Sequence, residues 1–186
     1  MRNLQTGMLL AATLSTGLMA GLFAAVSYAV MPGLARSSDR TLIETMQGIN
    51  IAILNPFFIL PFVGSIPLLG VAVYLAWRGE GRSVLPWLIA ALALYLAALA
   101  VTAAVHVPLN IQLDDAGDPA KITQLDQVRA DFEDKWVAWN TVRAVLHTAA
   151  FVCLLWALIG YGTHRSQDSG STESAQQSAA PASLTV

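Results

Sequence analysis

The stretch from Phe132 to Gly162 places an arginine and a histidine in an apolar helical pattern. At about 100° per residue, five of its side chains fall within roughly a third of the helix circumference. These are Trp136, Trp139, Asn140, Arg143 and His147. An imidazole can accept a proton and a guanidinium can stabilise an oxyanion. Because burying an arginine against lipid costs several kcal/mol, this face should point at other helices and is a candidate functional site.

Other polar residues stand where neighbouring helices should reach the same membrane level. In an up-and-down bundle, the end of the third helix lies beside the outer half of the fourth. We therefore expect a set of polar residues to converge with Trp139, namely His106, Asn110, Asn140, Arg143, Gln47, Asn50 and Asn55. An alternative is that Arg143 is a structural pin whose guanidinium bonds helix-end carbonyls and asparagine side chains.

The histidines raise the question of a haem or metal site. His106 should lie near the membrane interface, and His147 about 10 Å deeper at 1.5 Å per residue. Opposed axial ligands need similar depth, so the pattern does not favour a bis-histidine haem. The membrane-embedded parts of the helices contain no third histidine or acidic residue to complete a zinc site. With Cys153 as the single cysteine, we predict neither a metal nor a cofactor.

The composition indicates an integral membrane protein. Of 186 residues, 55% are hydrophobic and 12% are charged, whereas about a quarter are charged in soluble domains. Four runs, 3–35, 45–77, 83–113 and 144–164, contain no Asp, Glu, Lys or Arg. Each exceeds the roughly 20 residues that a membrane-spanning helix needs. The prediction is an all-α, four-helix transmembrane bundle, and the net charge of -2 excludes a basic surface for nucleic acid.

Helix boundaries follow from prolines, glycines and charges. We predict helices over about 4–30, 55–77, 84–107 and 124–161, with Pro32 and Pro108 ending the first and third. They form a membrane domain over 1–163, and the polar tail over 164–186 is predicted to be disordered. Pro61 and Pro67 should bend or partly unwind the second helix.

An external cap is expected over the outer mouth of the bundle. Residues 36–49 contain a possible capping box from Thr41 to Glu44 and apolar residues at helical spacing. Together these features predict a short interfacial helix. A continuous fourth helix would be about 57 Å long against a hydrocarbon core of ~30 Å. Its first third must then stand outside the bilayer and help to form the cap.

Three motifs carry a resemblance to a known family. They are QGINIAILNPFF from Gln47, VPLN from Val107 and FEDKWVAWNTVR from Phe132. In order and spacing, the chain resembles the anthrone-oxygenase-like four-helix membrane proteins over about residues 5–162. The resemblance implies oxidation of a hydroxylated anthrone to the anthraquinone with dioxygen, without metal or flavin.

From the chemistry of that reaction, which needs a base, a positive group at the enolate oxygen and flat apolar walls, we infer roles for the polar residues. His147 or His106 would act as the base, and Arg143 with Asn110 and Asn140 would stabilise the enolate oxygen. The flat walls would be Trp136 and Trp139. The full substrate-binding set is Asn50, Asn55, Asn110, Trp136, Trp139 and Asn140. The alternative is a non-catalytic membrane protein, either a subunit that binds a quinone or another small molecule, or an accessory partner of a membrane complex.

The expected partners are a hydrophobic small molecule and the lipid bilayer, and homo-oligomerisation stays open. The short loop with Arg78 and Arg82 favours a cytoplasmic position for that loop. We therefore expect both termini in the cytoplasm and the protein in a bacterial inner membrane.

Overall fold

The computed structural model describes residues 2–79 and 81–178, with side chains from Asn3 to Thr163 apart from residue 80. These residues form helices without a β-strand. Seven α-helices occur among them: α1 (Arg2–Ala25), α2 (Met31–Leu34), α3 (Asp39–Ala52), α4 (Pro56–Arg78), α5 (Leu85–Val101), α6 (Val107–Asp115) and α7 (Leu125–Ser178). Two π-helical turns, Val26–Val30 and Thr102–His106, join α1 to α2 and α5 to α6.

Four stretches are long and apolar enough to cross a membrane: Asn3–Leu34, Pro56–Arg78, Arg82–Asp115 and Leu125–Thr163. Helix α7 packs on α1 and α5, and α4 packs on the same two helices, so the four spans close into a ring. One cluster of buried leucines and alanines inside this ring includes a leucine from every span: Leu9, Leu69, Leu88 and Leu154. The predicted all-α, four-helix transmembrane bundle is confirmed.

The sequence indicated that Pro32 and Pro108 would end the first and third spans, but neither proline does so. A π-helical turn precedes each proline, and Pro32 and Pro108 then lie in the first turn of α2 and α6. The helical backbone runs through each π-helical turn into α2 and α6, so neither proline ends its span. The predicted helix ends at residues 30 and 107 are therefore wrong, and the third span continues to Asp115.

Helix α4 contains two internal prolines, Pro61 and Pro67, and still runs as one helix from Pro56 to Arg78. The Tyr95 hydroxyl donates to the Phe62 carbonyl at 2.7 Å, and the Ser65 hydroxyl donates to the Pro61 carbonyl at 2.6 Å. Hydroxyl donors of this kind satisfy backbone carbonyls around prolines in membrane helices. The expected partial unwinding does not occur.

The end of the bundle that holds the two π-helical turns is covered by α3, which packs on α6 and α7. The buried apolar residues of this contact are Leu42, Ile43 and Met46 from α3, and Met31, Leu109, Leu113, Phe132 and Trp136 from α2, α6 and α7. The helix begins one turn earlier than the proposed capping box, because the Ser38 hydroxyl accepts from the Thr41 amide at 3.2 Å. Ser38, rather than Thr41, is the N-cap.

Arg129 clamps the outer part of α7 to the segment before α3. Its guanidinium donates to the carbonyls of Ala35 and Ser37, each at 3.0 Å, and to the Asp39 carboxylate at 2.9 Å. The Arg129 side chain is only 16% exposed. Planar, multidentate bonding of this kind is specific to arginine.

Removing this clamp should expose the segment to protease. In the Arg129→Ala variant, we expect trypsin to cleave after Arg36 at least about tenfold faster, since hydrogen bonds to charged groups contribute about 1.5–3 kcal/mol. Peptide mapping of a limited digest measures the rate. Lys121→Ala is the control, because the Lys121 side chain is 83% exposed and its ammonium group pairs, within the described residues, with Asp118 alone, at 3.4 Å. Equal cleavage rates in the two variants would show that the clamp does not hold the segment.

Gly17 lets α1 approach α7 closely. A Cβ atom built on Gly17 would lie 2.8 Å from Cε2 of Phe151, whereas one built on Gly21 would meet nothing within 4 Å. We expect Gly17→Val to lower the free energy of unfolding by about 1–3 kcal/mol, as overpacking does. Thermal unfolding in detergent should therefore show a lower Tm for Gly17→Val and an unchanged Tm for Gly21→Val. Equal Tm values would contradict the close contact.

Helix α7 extends well beyond the predicted limit of residue 161. Residues 164–178 continue it as helix, and residues 179–186 lie outside the described residues. The division into a membrane domain and a disordered tail stays a prediction.

Candidate functional site

Two π-helical turns flank the N-terminal half of α7. The first carries Ser27, and the second carries Thr102 and His106. A π-helical turn adds one residue to a helical turn and is frequent at functional sites. In this bundle both turns present a polar side chain to α7, since Ser27 bonds Asn140 and Thr102 bonds Arg143.

A chain of hydrogen bonds crosses the bundle between these turns. The Asn140 amide nitrogen donates to the Ser27 hydroxyl at 2.7 Å and to the Phe23 carbonyl at 3.2 Å. The Asn140 carbonyl oxygen accepts from Arg143 at 2.7 Å, and Arg143 also donates to the Thr102 hydroxyl at 3.3 Å. Asn140 is fully buried and Arg143 is 7% exposed. The chain fixes the guanidinium between three spans.

The buried Arg143 is not neutralised by a carboxylate among the described residues. Its Nε atom also has no hydrogen-bond partner there. The guanidinium lies over the Phe23 ring at 4.0 Å from the centroid and 5.9 Å from the Trp136 ring, which gives two cation–π contacts. A buried cation held mainly by neutral groups is costly. It is suited to stabilising a negative charge that develops on a ligand.

His147 lies one helical turn after Arg143 and is fully buried. Its Nδ1 atom is 2.8 Å from the Arg143 carbonyl oxygen. Because a carbonyl oxygen only accepts, Nδ1 carries the proton, and Nε2 of a neutral ring then has a lone pair. Nε2 has no hydrogen-bond partner among the described residues. The ring packs against Phe23 and Tyr95, each with centroids 4.9 Å apart.

His106 lies on the other side of Arg143. Its ring contacts the Trp136 ring edge-to-face with centroids 5.3 Å apart. The backbone of Val101 comes close to the imidazole, but neither ring nitrogen makes a hydrogen bond within the described part of the chain. Trp136 in turn donates from Nε1 to the Asn110 side-chain oxygen at 2.9 Å. His106, Asn110 and Trp136 therefore extend the buried cluster of Asn140, Arg143 and His147 towards α6.

The polar residues before α4 bond elsewhere. Gln47 donates to the carbonyls of Leu113 and Gly117 at 2.9 and 3.0 Å. Asn50 donates to the Asp114 carboxylate at 3.3 Å. These bonds hold α3 to the end of α6, so the structure does not bring Gln47 and Asn50 to the buried chain. Their expected convergence with Arg143 is not observed.

Two further predicted residues also lie away from the hydrogen-bonded chain. Asn55 is the N-cap of α4, where its side chain accepts from the Phe58 amide at 3.2 Å. Trp139 is 42% exposed, on a different side of α7 from the buried Asn140. An Asn-Pro pair is a common start of a helix, which explains the position of Asn55. Substrate-binding roles for Asn50, Asn55 and Trp139 stay predictions.

Sequence reasoning missed several residues that surround the site. Phe23 and Ser27 contact Arg143 and Asn140, yet nothing in the pattern of the first span distinguishes them from packing residues. Thr102 and Tyr95 fall on the same side of the third span as His106 in the helical pattern, but they were given no role, and the structure places them against Arg143 and His147. Phe62, in α4, completes the aromatic surroundings of His147 with centroids 6.4 Å apart.

The described residues contain no group of three or more His, Cys, Asp or Glu side chains that could hold a metal ion. The prediction that no cofactor is required stays a prediction. The fold and site define an integral membrane protein whose four helices enclose a buried arginine and two histidines.

The comparison with protein families assigns the chain more narrowly. A model described as anthrone oxygenase matches residues 56–153, which is more than half of the 186 residues. The chain belongs to the anthrone oxygenase family, and the resemblance noted in the sequence is confirmed. The match contains both histidines and Arg143 but begins after Gln47, Asn50 and Asn55. Neither the curated proteins nor the solved structures contain a match to this chain.

Proposed function

We propose that this protein oxidises an anthrone-like, hydrophobic aromatic ketone to the corresponding quinone with dioxygen, using its own side chains and no bound cofactor. The observation that carries the proposal is the pairing of two groups on one turn of α7. His147 has a fixed Nδ1 and an unpartnered Nε2, and Arg143 is a buried cation with no carboxylate beside it among the described residues. These are a candidate base and a candidate oxyanion partner.

The chemistry suits such a pair. The CH₂ carbon opposite the carbonyl of an anthrone is acidic, because the resulting carbanion is an enolate whose charge is spread onto oxygen. The enolate is electron-rich and combines with dioxygen at that carbon to give a hydroperoxide after protonation. Loss of the second C–H proton and cleavage of the O–O bond release water and leave a carbonyl group. The balance is one anthrone and one O₂ to one anthraquinone and one water.

In this scheme, Nε2 of His147 removes the first proton. The guanidinium of Arg143, oriented by Asn140 and Thr102, stabilises the enolate oxygen. The rings of Phe23 and Trp136, which already contact the guanidinium, supply flat apolar surfaces. His106 lacks the backbone bond that fixes His147, so it is the weaker candidate for the base.

Oxygen uptake by detergent-purified protein tests the proposal. With a hydroxylated anthrone, uptake should exceed the spontaneous autoxidation rate, and quinone should form in a 1:1 ratio to the oxygen consumed. A heat-denatured sample and His147→Ala supply the reference rates. Uptake at the spontaneous rate in all samples would exclude anthrone oxidation.

A second candidate function is a non-catalytic site that binds a quinone or another small molecule, or a membrane subunit in which Arg143 is a structural pin. The supporting observation is that Arg143 already donates to Asn140 and Thr102. Under this alternative, Arg143→Lys would lower the Tm, and neither wild type nor the variant would oxidise an anthrone above the spontaneous rate.

For the membrane orientation, we propose that both termini are cytoplasmic and that the α3 cap faces outward from a bacterial inner membrane. The short connection with Arg78 and Arg82 supports this orientation. Fluorescence from green fluorescent protein fused to the C-terminus tests it, since the fusion matures only in the cytoplasm. A correctly inserted fusion that does not fluoresce would show that the C-terminus lies outside the cytoplasm.

A further inference from the structure

The guanidinium of Arg143 leaves a net positive charge inside the bundle. The side chain is 7% exposed, and no ion pair within the described part of the chain includes it. Its hydrogen-bond partners Asn140 and Thr102 are neutral, as are the rings of Phe23 and Trp136. Neutral partners offset only part of the cost of burying a charge, and a guanidinium keeps its proton. An anion beside Arg143 would therefore stabilise the bundle.

Two N–H donors in the same cluster have no acceptor among the described residues. One is Nε of Arg143. The other belongs to His106, because a neutral imidazole always carries one N–H and neither ring nitrogen makes a hydrogen bond there. His106 is 1% exposed, so solvent at the protein surface does not reach it. Because a buried donor without an acceptor is costly, the pair indicates a ligand that accepts hydrogen bonds.

Trp136 and Thr102 hold these two donors in one place. The Trp136 ring contacts the His106 ring, with centroids 5.3 Å apart, and lies 5.9 Å from Cζ of Arg143. Thr102 accepts from Arg143 and belongs to the same π-helical turn as His106. Trp139, which is 42% exposed, precedes Arg143 by one turn of α7, or about 6 Å. Since exposed tryptophans favour the membrane interface, ions in solution come close to this depth.

We propose that Arg143 and His106 bind a halide-sized monovalent anion, with chloride as the natural occupant. The terminal nitrogens of Arg143 already bond Asn140 and Thr102, so the parallel pair of bonds that a carboxylate forms with both of them is obstructed. A spherical anion needs only single N–H donors, and its one charge balances one guanidinium. This ion site goes beyond the proposed function, because it would bind chloride whether or not the protein oxidises an anthrone.

The linewidth of the chloride NMR signal tests the proposal, because chloride that exchanges onto a protein gives a broader signal. The protein is kept in a nonionic detergent and a gluconate buffer while chloride is added. We expect saturable broadening that bromide removes and that further gluconate, at the same ionic strength, does not. His106→Phe keeps an aromatic ring beside Trp136 but lacks the N–H. It should raise the dissociation constant of chloride by roughly ten- to a hundredfold, as loss of a hydrogen bond to a charged group does.

Two further variants complete the test. Arg143→Gln should abolish the saturable broadening, because it removes the charge. Arg40→Gln is the matched control, since the Arg40 side chain is 53% exposed and its charge is paired with Glu44 at 2.7 Å; it should bind chloride as wild type does. The Tm of each variant is measured in parallel, and His106→Phe, which keeps the arginine, decides the result if Arg143→Gln does not fold.

Two results would overturn the proposal. Equal chloride binding by wild type and His106→Phe, or an equal loss in Arg40→Gln, would assign the broadening to exposed arginines. Displacement of chloride by acetate as effective as that by bromide would identify a carboxylate site instead.

The ion site and the oxidation fail in different ways, because chloride binding requires no turnover. Chloride binding with the expected His106 dependence, but without oxygen uptake, would keep the ion site and remove the oxidation. Oxygen uptake above the spontaneous rate in a protein that does not bind chloride would do the reverse. If both are observed, chloride and the enolate oxygen compete for Arg143, and chloride should raise the anthrone concentration that gives half-maximal uptake.

Discussion

Oxygen uptake by the Arg143→Lys variant is expected to fall by about 10²- to 10³-fold, although the positive charge is kept. An ammonium group cannot reproduce the planar fork that bonds Asn140 and Thr102 simultaneously. Loss of one well-placed oxyanion donor typically has an effect of this size. The measurement is the initial rate of quinone formation, corrected for autoxidation and divided by the amount of folded protein.

Folding must be followed in the same samples. The elution profile and Tm of Arg143→Lys should stay close to those of wild type, and Asn140→Ala should also lose activity while remaining folded. Asn140 orients the guanidinium without reacting itself. If both variants lose expression to the same extent, Arg143 is a structural pin, and the catalytic account of this residue is wrong.

The second large effect is expected at His147. Replacing His147 with glutamine should lower the rate of quinone formation by about 10²- to 10⁴-fold, the usual contribution of a positioned base. The glutamine amide can still donate to the Arg143 carbonyl that now accepts from Nδ1, so the local fold should persist. Oxygen uptake and Tm are measured together.

His106→Gln is the matched variant, because His106 is also a buried imidazole, but its ring nitrogens make no hydrogen bond to the described residues that would fix the ring. We expect its rate to fall less than about tenfold. If His106→Gln is instead the more damaging change, the base is His106, which contacts Trp136.

The sequence was sufficient to predict the four spans, because long runs without charge leave few alternatives to a membrane-spanning helix. It was also sufficient to place Arg143, Asn140 and His147 on one side of α7, since a regular helix repeats every 3.6 residues. The structure agrees, because all three side chains are buried.

Errors arose where the helices are not regular. Pro32 and Pro108 indicated helix ends, but each follows a π-helical turn. The extra residue of such a turn changes the direction in which the side chains point. Ser27 lies in the first of these turns and reaches α7, which the 3.6-residue pattern of the first span does not predict.

The convergence of Asn50 and Asn55 was expected because an up-and-down bundle should bring the first connection to the same membrane level as the end of the third helix. Their short side chains instead bond the nearest available partners, the Asp114 carboxylate and the first turn of α4. For Asn55, a local hydrogen bond at the start of its own helix competes effectively with distant ones. Competition of this kind depends on three-dimensional distances, so the sequence could not resolve it.

The most direct test of the central claim is proton exchange in the absence of oxygen. Under argon in D₂O, wild-type protein should accelerate deuterium uptake into the CH₂ carbon of an anthrone, measured by mass spectrometry against protein-free buffer. His147→Gln and Arg143→Lys should show only the buffer rate, because one lacks the base and the other lacks the correctly held cation. Exchange at the buffer rate in wild type, or equal acceleration in all three proteins, would contradict a catalytic His147–Arg143 pair.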